Sequence, residues 1–109
     1  KTKEGEAIFY RRSILELESR HDFTMRDVIP SLEEFEGLLK ASPSLSAMVE
    51  DRLTTVAQLL IFSLSCCTRV DCGKITKSRL IVANTHLYFH PGAAHIRLMQ
   101  LVALTERYS

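Results

Sequence analysis

The hydrophobic and polar positions along the chain predict four β-strands. Residues 79–87 begin with an apolar run that is long enough for a buried strand, and residues 55–64 are apolar with β-branched residues at their start. Residues 13–19 alternate between leucine and glutamate, as a half-buried strand does, and residues 7–11 form a short β-favouring run. We expect 55–64 and 79–87 to pair antiparallel, although a buried helix over 55–64 would share the same apolar pattern.

Two short helices are predicted between the second and the third strand. Ser31 and Glu34 have the spacing of a capping box, which marks the start of a helix. Ser42 and Pro43 end this helix and start another, with proline at its first position. We interpret residues 30–53 as a helical insertion.

The last predicted element is a helix over residues 93–107. Pro91 and Gly92 break the chain after the preceding strand, and a helical pattern starts almost at once. The positions expected to share one face are Ala94, Leu98, Leu101, Val102 and Thr105. We expect the two leucines and the valine of this face to pack the helix against the sheet, in an α/β fold.

Composition and charge narrow the function classes only a little. A chain of 109 residues with 46% hydrophobic and 25% charged residues is ordinary for one small globular domain. Fourteen basic and thirteen acidic residues give a formal net charge of +1. The net charge therefore predicts no strongly positive electrostatic potential that would indicate a nucleic-acid partner. A phosphate-rich substrate would need a local patch or a metal. No apolar run reaches the roughly 18 residues that a membrane span needs, so no membrane partner is expected.

The three cysteines do not predict a metal site. Cys66, Cys67 and Cys72 are odd in number, and their spacing does not match a paired C-x-x-C zinc pattern. We therefore favour a reduced compartment with structural or incidental thiols over a redox or metal role.

Polar residues at the end of the 79–87 strand predict a functional site. Asn84, Thr85 and His86 lie where a strand would emerge from a sheet, and ligands of open α/β sheets usually bind at the carboxyl ends of strands. Asn84 and His86 share one strand face, whereas Thr85 points to the other. A structural alternative stays open for each: Asn84 could bond to nearby loop backbone, and His86 could simply close a strand.

The order of motifs resembles the endonuclease/exonuclease/phosphatase superfamily. Val-Ala-Asn-Thr-His-Leu-Tyr at 82–88, followed by His-Pro and by Ile-Arg-x-x-Gln at 96–100, is similar to the 2′,5′-phosphodiesterase branch, beside the deadenylases, angel proteins and nocturnin. Residues 4–13 resemble the strand EG-x-A-x-FYR-x-S of those enzymes, and the His-Asp pair at 21–22 is again similar. Because these matches occur in the right order along nearly the whole chain, chance is a poor explanation.

This resemblance implies that residues 1–109 are the central part of one catalytic domain, an incomplete two-sheet α/β sandwich. The metal-ligand glutamate of the family would precede Lys1, and its Gly-Asp-x-Asn and Ser-Asp-His motifs would follow Ser109. Magnesium prefers oxygen ligands such as these carboxylates. We therefore expect the Mg²⁺ ligands to lie outside this chain and the chain alone to be catalytically inactive.

The resemblance also assigns roles to individual residues. His86 falls on the histidine that approaches the scissile phosphate, where a donor stabilises developing charge, and Asn84 is expected to hold it or to touch the phosphate. His90 is expected to contact the sugar or base of the substrate, with an exposed loop histidine as the alternative. Arg97 is expected to bind substrate. For Arg97 and Gln100, two roles stay open: a contact that orients the loop before the last helix, and a purely surface role.

The function implied is that of a magnesium-dependent phosphodiesterase or 3′-exoribonuclease. Its substrate would be 2′,5′-linked oligoadenylate or poly(A) RNA, its location intracellular, either mitochondrial or cytoplasmic, and no protein partner is inferred. The alternative is an interaction protein that kept the fold and lost catalysis. The intact His86 favours the enzyme.

Overall fold

The computed structural model of the chain describes residues 5–71 and 74–107. In chain order, the elements are β1 (Leu15–Thr24), α1 (Met25–Val28), a 3₁₀ turn (Ile29–Ser31), α2 (Glu33–Ala41), α3 (Pro43–Arg52), β2 (Val56–Asp71), β3 (Lys74–Thr85) and α4 (Ala94–Glu106). The chain is therefore α/β, as predicted. The sequence also favours a polar link of loop type between the strands 55–64 and 79–87, with Cys72 and Gly73 at its middle. This is wrong for residues 65–71 and 74–78, which belong to β2 and β3, and Cys72 and Gly73 themselves lie outside the described residues.

The three strands form one antiparallel sheet in the order β1-β2-β3. The predicted strand 55–64 is the central strand β2, and its predicted antiparallel pairing with the 79–87 strand, now β3, is confirmed. Both strands extend well beyond the apolar runs that predicted them. An apolar run reports which part of a strand is buried, whereas ladder hydrogen bonds continue wherever two backbones stay side by side.

The predicted strand over residues 7–11 is wrong. These residues have neither helix nor strand structure and contact the sheet through other groups. The ring of Tyr10 lies 4.8 Å from the ring of Phe62, and the carbonyl of Ala7 accepts a hydrogen bond from Asn84. A β-favouring composition indicates that a segment suits a pleated surface, but it does not supply a backbone ladder partner.

Strand β1 confirms the predicted strand 13–19 over residues 15–19 and continues to Thr24, whereas residues 13 and 14 lie in a turn. The added part carries Arg20 and Asp22, which lie on the same strand face because they are two residues apart. The Arg20 guanidinium donates to the Asp22 carboxylate at 2.9 Å. This hydrogen bond and the charge of Asp22 raise the pKa of Arg20.

The chain divides into two compact units. The sheet unit consists of Lys1–Asp22 and Gln58–Asn84, and the helical unit consists of Phe23–Ala57 and Thr85–Ser109. In the sheet unit, Leu59, Leu60 and Phe62 are buried apolar residues of β2. The sandwich predicted for the complete domain stays a prediction, as does the interpretation of 30–53 as an insertion.

The helical unit has a closed apolar core. In it α1 contacts α3 and α4, and α2 contacts α3. The buried members of this core are Phe23, Met25, Val28, Ile29, Phe35, Val49, Leu53, Ala57, Ala93, Ile96, Met99 and Ala103. Among the helices that the structure describes, none is long and apolar enough to cross a membrane.

The predicted capping box of α2 is wrong. This helix begins at Glu33 with Leu32 as its N-cap, and no side chain caps it. Ser31 instead belongs to the preceding 3₁₀ turn, and its hydroxyl donates to the carbonyl of Val28 at 2.6 Å. A serine hydroxyl can bond to the backbone of the preceding turn as readily as to the turn that follows.

The predicted start of α3 is confirmed. Ser42 is the N-cap, its hydroxyl accepts a hydrogen bond from the backbone N–H of Leu45 at 3.4 Å, and Pro43 is the first helical residue. Proline is favoured there because the first N–H of a helix has no intrahelical acceptor.

The predicted helix 93–107 is confirmed as α4, but its predicted packing face is wrong. Leu98 is 62% exposed and Leu101 is 45% exposed, whereas Val102 is half-buried against the core. The residues that α4 buries are Ile96, Met99, Gln100 and Ala103. Because apolar residues surround most of α4, helical period alone allows more than one face, and the contacts with α1 and the 3₁₀ turn decide between them.

Candidate active site

Two of the predicted site residues, His86 and His90, lie on one loop of the helical unit. This loop comprises residues 86–93, and we call it the site loop. Before it, the hydroxyl of Thr85 donates to the carbonyl of Val56 at 3.4 Å. After it, the N–H of Ala93 donates to the carbonyl of His90 at 3.0 Å and leads into α4. The loop therefore begins and ends at defined backbone contacts.

His86 is the first residue after β3, and it is exposed. The predicted location at the carboxyl end of a strand, with an accessible side chain, agrees with the structure. An imidazole carries ring nitrogens that can donate to or accept from a ligand. The catalytic role of His86 stays a prediction.

Asn84 lies in the sheet unit, and its side chain contacts backbone. The Nδ2 group donates to the carbonyl of Ala7 at 3.3 Å. This is the structural alternative that the sequence left open, and it ties the strand end to the segment before β1. A catalytic role for Asn84 stays a prediction, since one amide proton and the amide oxygen can serve other partners.

His90 is exposed, and its ring lies over the turn that follows it. The N–H of Gly92 donates to Nδ1 of His90 at 3.1 Å. With Nδ1 as acceptor, the proton of the neutral ring is on Nε2, which is then a hydrogen-bond donor. A Cβ atom at Gly92 would lie 3.3 Å from Cε1 of His90, so glycine allows this close approach. A substrate contact by His90 stays a prediction.

Arg97 of α4 donates to three carbonyl groups of the site loop. Its Nη1 lies 2.6 Å from the oxygen of His90 and 3.3 Å from that of Tyr88, and its Nη2 lies 3.3 Å from the oxygen of Pro91. The structure thus shows the orienting contact that the sequence left open beside a surface role. Substrate binding by Arg97 stays a prediction.

Gln100 also makes the orienting contact that the sequence left open beside a surface role. It is fully buried on α4, and its Oε1 accepts the backbone N–H of Tyr88 at 2.8 Å. The sequence signal for Gln100 is its distance from Arg97. The two residues are three positions apart and therefore lie next to each other on one surface of the helix.

A cleft of about 520 Å³ lies beside His90 in the helical unit. Tyr88 and His90 line it from the site loop, Leu45 and Met48 from α3, and Ile96 from α4. Its volume lies within the range of small-molecule sites, which are mostly apolar with a few polar groups. Such a lining suits a flat ring with a polar edge.

The described residues bring together no group of three or more histidine, cysteine, aspartate or glutamate side chains that could hold a metal ion. These residues therefore do not fit a magnesium site. The side chains of Cys66, Cys67 and Cys72 lie outside the described residues.

Comparison with known proteins identifies relatives over nearly the whole chain. The 2′,5′-phosphodiesterase 12 of Homo sapiens is 36% identical over 110 residues, which cover 97% of this chain and 17% of the human protein. That of Rattus norvegicus is 34% identical over 103 residues, which cover 94% of this chain and 16% of the rat protein. The chain is homologous to 2′,5′-phosphodiesterase 12. No protein-family model matches it.

The predicted resemblance to the 2′,5′-phosphodiesterase branch is thereby confirmed. The chain spans only about a sixth of the length of these curated relatives. It is therefore a counterpart of one segment of 2′,5′-phosphodiesterase 12.

Proposed function

We propose that the chain is part of a phosphodiesterase that hydrolyses 2′,5′-linked oligoadenylate, with the 3′ ends of poly(A) RNA as a second substrate. The observation that carries this proposal is its homology to proteins named 2′,5′-phosphodiesterase 12 over 94–97% of its length. The exposed position of His86 directly after β3 supports it, because a ligand in solvent can reach this side chain.

In this proposal, His86 serves the scissile phosphate. An imidazole N–H donates to a phosphate oxygen and stabilises the negative charge that grows as the phosphorus becomes five-coordinate. Asn84 supports the end of β3 through its bond to Ala7.

His90 and the cleft beside it would receive the sugar or base of a nucleotide. The Nε2 donor of His90 supplies a hydrogen bond, and the apolar Leu45 and Met48 with the ring of Tyr88 suit the faces of an adenine. Bases bind well on aromatic and apolar surfaces because every base has an apolar face.

Magnesium dependence is part of the proposal through the likeness to the family. By the same likeness, the metal would be held by carboxylates of the full-length protein that lie outside these 109 residues. For that reason we expect the 109-residue chain alone to be inactive.

The test compares hydrolysis of 2′,5′-linked and 3′,5′-linked triadenylate by the full-length protein. Replacing His86 by alanine should lower kcat by about 10²–10³-fold, the usual cost of losing one donor to developing charge. His21→Ala is the matched control, because His21 is also an exposed histidine but lies on β1. Circular dichroism confirms that each variant is folded.

Two results would contradict parts of the proposal. A folded His86→Ala protein with wild-type kcat would remove His86 from the mechanism. A folded wild-type protein that hydrolyses neither substrate with magnesium present would favour the interaction protein over the enzyme.

A further inference from the structure

The backbone of Tyr88 is held by two side chains of α4. Gln100 accepts its N–H at 2.8 Å, and Arg97 donates to its carbonyl at 3.3 Å. Its ring also packs against the core of the helical unit. Both backbone polar groups of one loop residue are therefore bound by the same helix, which defines the course of the chain two residues after His86.

Arg97 extends this hold along the site loop. Its guanidinium also donates to the carbonyls of His90 and Pro91, so one side chain binds three carbonyl groups within four residues. The contact with His90 is the shortest of the three, at 2.6 Å. The rigid, planar fork of arginine presents its donors in a fixed geometry, whereas a lysine ammonium is a compact charge on a flexible stem.

Gln100 makes its contact from an unfavourable position. It is fully buried, it lies among the core residues Ile96, Met99 and Ala103, and its Nε2 has no hydrogen-bond partner among the described residues. A buried donor without an acceptor lowers stability, so an apolar residue would suit this part of the core better. The benefit of glutamine at this position is its bond to the site loop.

We infer that Arg97 and Gln100 are positioning residues, which hold the site loop and through it orient His86 for the reaction. The inference rests on the proposed function, because it assigns to His86 a role at the phosphate. Reaction rates depend strongly on the placement of such groups, and displacements of about 1 Å can cost two orders of magnitude.

The experiment uses the full-length protein with 2′,5′-linked triadenylate as substrate. Arg97→Lys keeps the charge but loses the fork, and Gln100→Met keeps the volume but loses the acceptor. Each should lower kcat by about 10–100-fold, the range for residues that orient a catalytic group, with KM little changed. Arg52→Lys, an exposed arginine of α3, and Leu104→Met, on α4, are the matched controls and should keep wild-type kcat.

Hydrogen exchange of the peptide that covers residues 86–93 supplies a readout besides activity. Exchange should be faster in Arg97→Lys and in Gln100→Met than in the wild type or the controls, since each loses a hydrogen bond to this segment. A lower melting temperature with unchanged kcat would show a structural role only and would overturn the inference. Unchanged exchange in both variants would overturn it as well.

The two proposals fail in different ways. If the wild-type protein hydrolyses the substrate but His86→Ala does so equally well, the role of His86 fails, and with it the inference that Arg97 and Gln100 act through His86. If His86→Ala is impaired while Arg97→Lys and Gln100→Met have wild-type kcat, only the inference fails.

Discussion

Among the side chains that the structure describes, the two units of the chain differ in how completely apolar groups are buried. Twelve described residues form the buried core of the helical unit. The sheet unit buries Leu59, Leu60 and Phe62 of β2, whereas Ile81 of β3 is 53% exposed and Phe9 is 93% exposed. A closed core gives a helix such as α4 a defined position, so side chains on that helix can hold a loop in place. The sheet unit depends more on its backbone ladder.

This difference divides the predicted site residues. Asn84 belongs to the sheet unit and contacts the backbone of Ala7, whereas His86, His90 and Arg97 belong to the helical unit. The part of the site that is anchored to a closed core is therefore the loop that begins with His86. The comparison predicts that stability is sensitive to the core of the helical unit and tolerant on the exposed surface of the sheet.

The largest expected difference is between two isoleucines. Ile29 is fully buried in the helical unit and Ile81 is half exposed on β3. Ile29→Ala should lower the free energy of unfolding by about 2–5 kcal/mol because it leaves a cavity. Ile81→Ala should cost less than about 1 kcal/mol. Urea denaturation of the 109-residue chain followed by circular dichroism measures both free energies of unfolding. Equal losses in the two variants would contradict the difference between the units.

A smaller effect is expected at the start of α3. Ser42→Ala removes the hydroxyl that accepts the Leu45 N–H and should lower the free energy of unfolding by about 0.5–1 kcal/mol, the lower part of the range for N-caps because the bond is long. Ser46→Ala, on an exposed position of the same helix, is the control and should be neutral or slightly stabilising. A loss at Ser46 as large as that at Ser42 would contradict the capping assignment.

The smallest effect is expected at an ion pair of the sheet unit. Arg79 of β3 lies 3.0 Å from the carboxylate of Glu18 on β1, and the arginine side chain is 70% exposed. A double-mutant cycle should give a coupling energy below about 0.5 kcal/mol, and the coupling should vanish in about 1 M salt. A larger, salt-independent coupling would mean that side-chain contacts stabilise the sheet more than its exposure suggests.

Local patterns predicted much of the fold. The apolar runs located β2 and β3, the alternation of leucine and glutamate located β1, and the Ser42-Pro43 pair located the start of α3. Each of these signals acts over a few residues, through burial period or through a cap. Likewise, the order of short motifs predicted the homology to 2′,5′-phosphodiesterase 12.

Local sequence patterns did not predict the features of the fold that depend on a partner distant in sequence. Residues 7–11 have a β-favouring composition but no ladder partner, and Ser31 bonds to the turn before it. On α4, Leu98 and Leu101 are as apolar as the residues that are buried, so only the position of α1 and the 3₁₀ turn decides which side faces the core.

The candidate site shows the same division. The sequence predicted His86 near the end of a strand and a break at Pro91-Gly92 before the last helix, because strand ends and Pro-Gly turns are local signals. The contacts of these residues depend on the folded chain: Arg97 binds three carbonyl groups, Gln100 binds one N–H, and Asn84 bonds to Ala7 across 77 positions of sequence. These bonds join groups from different elements, and their geometry exists only once the chain has folded.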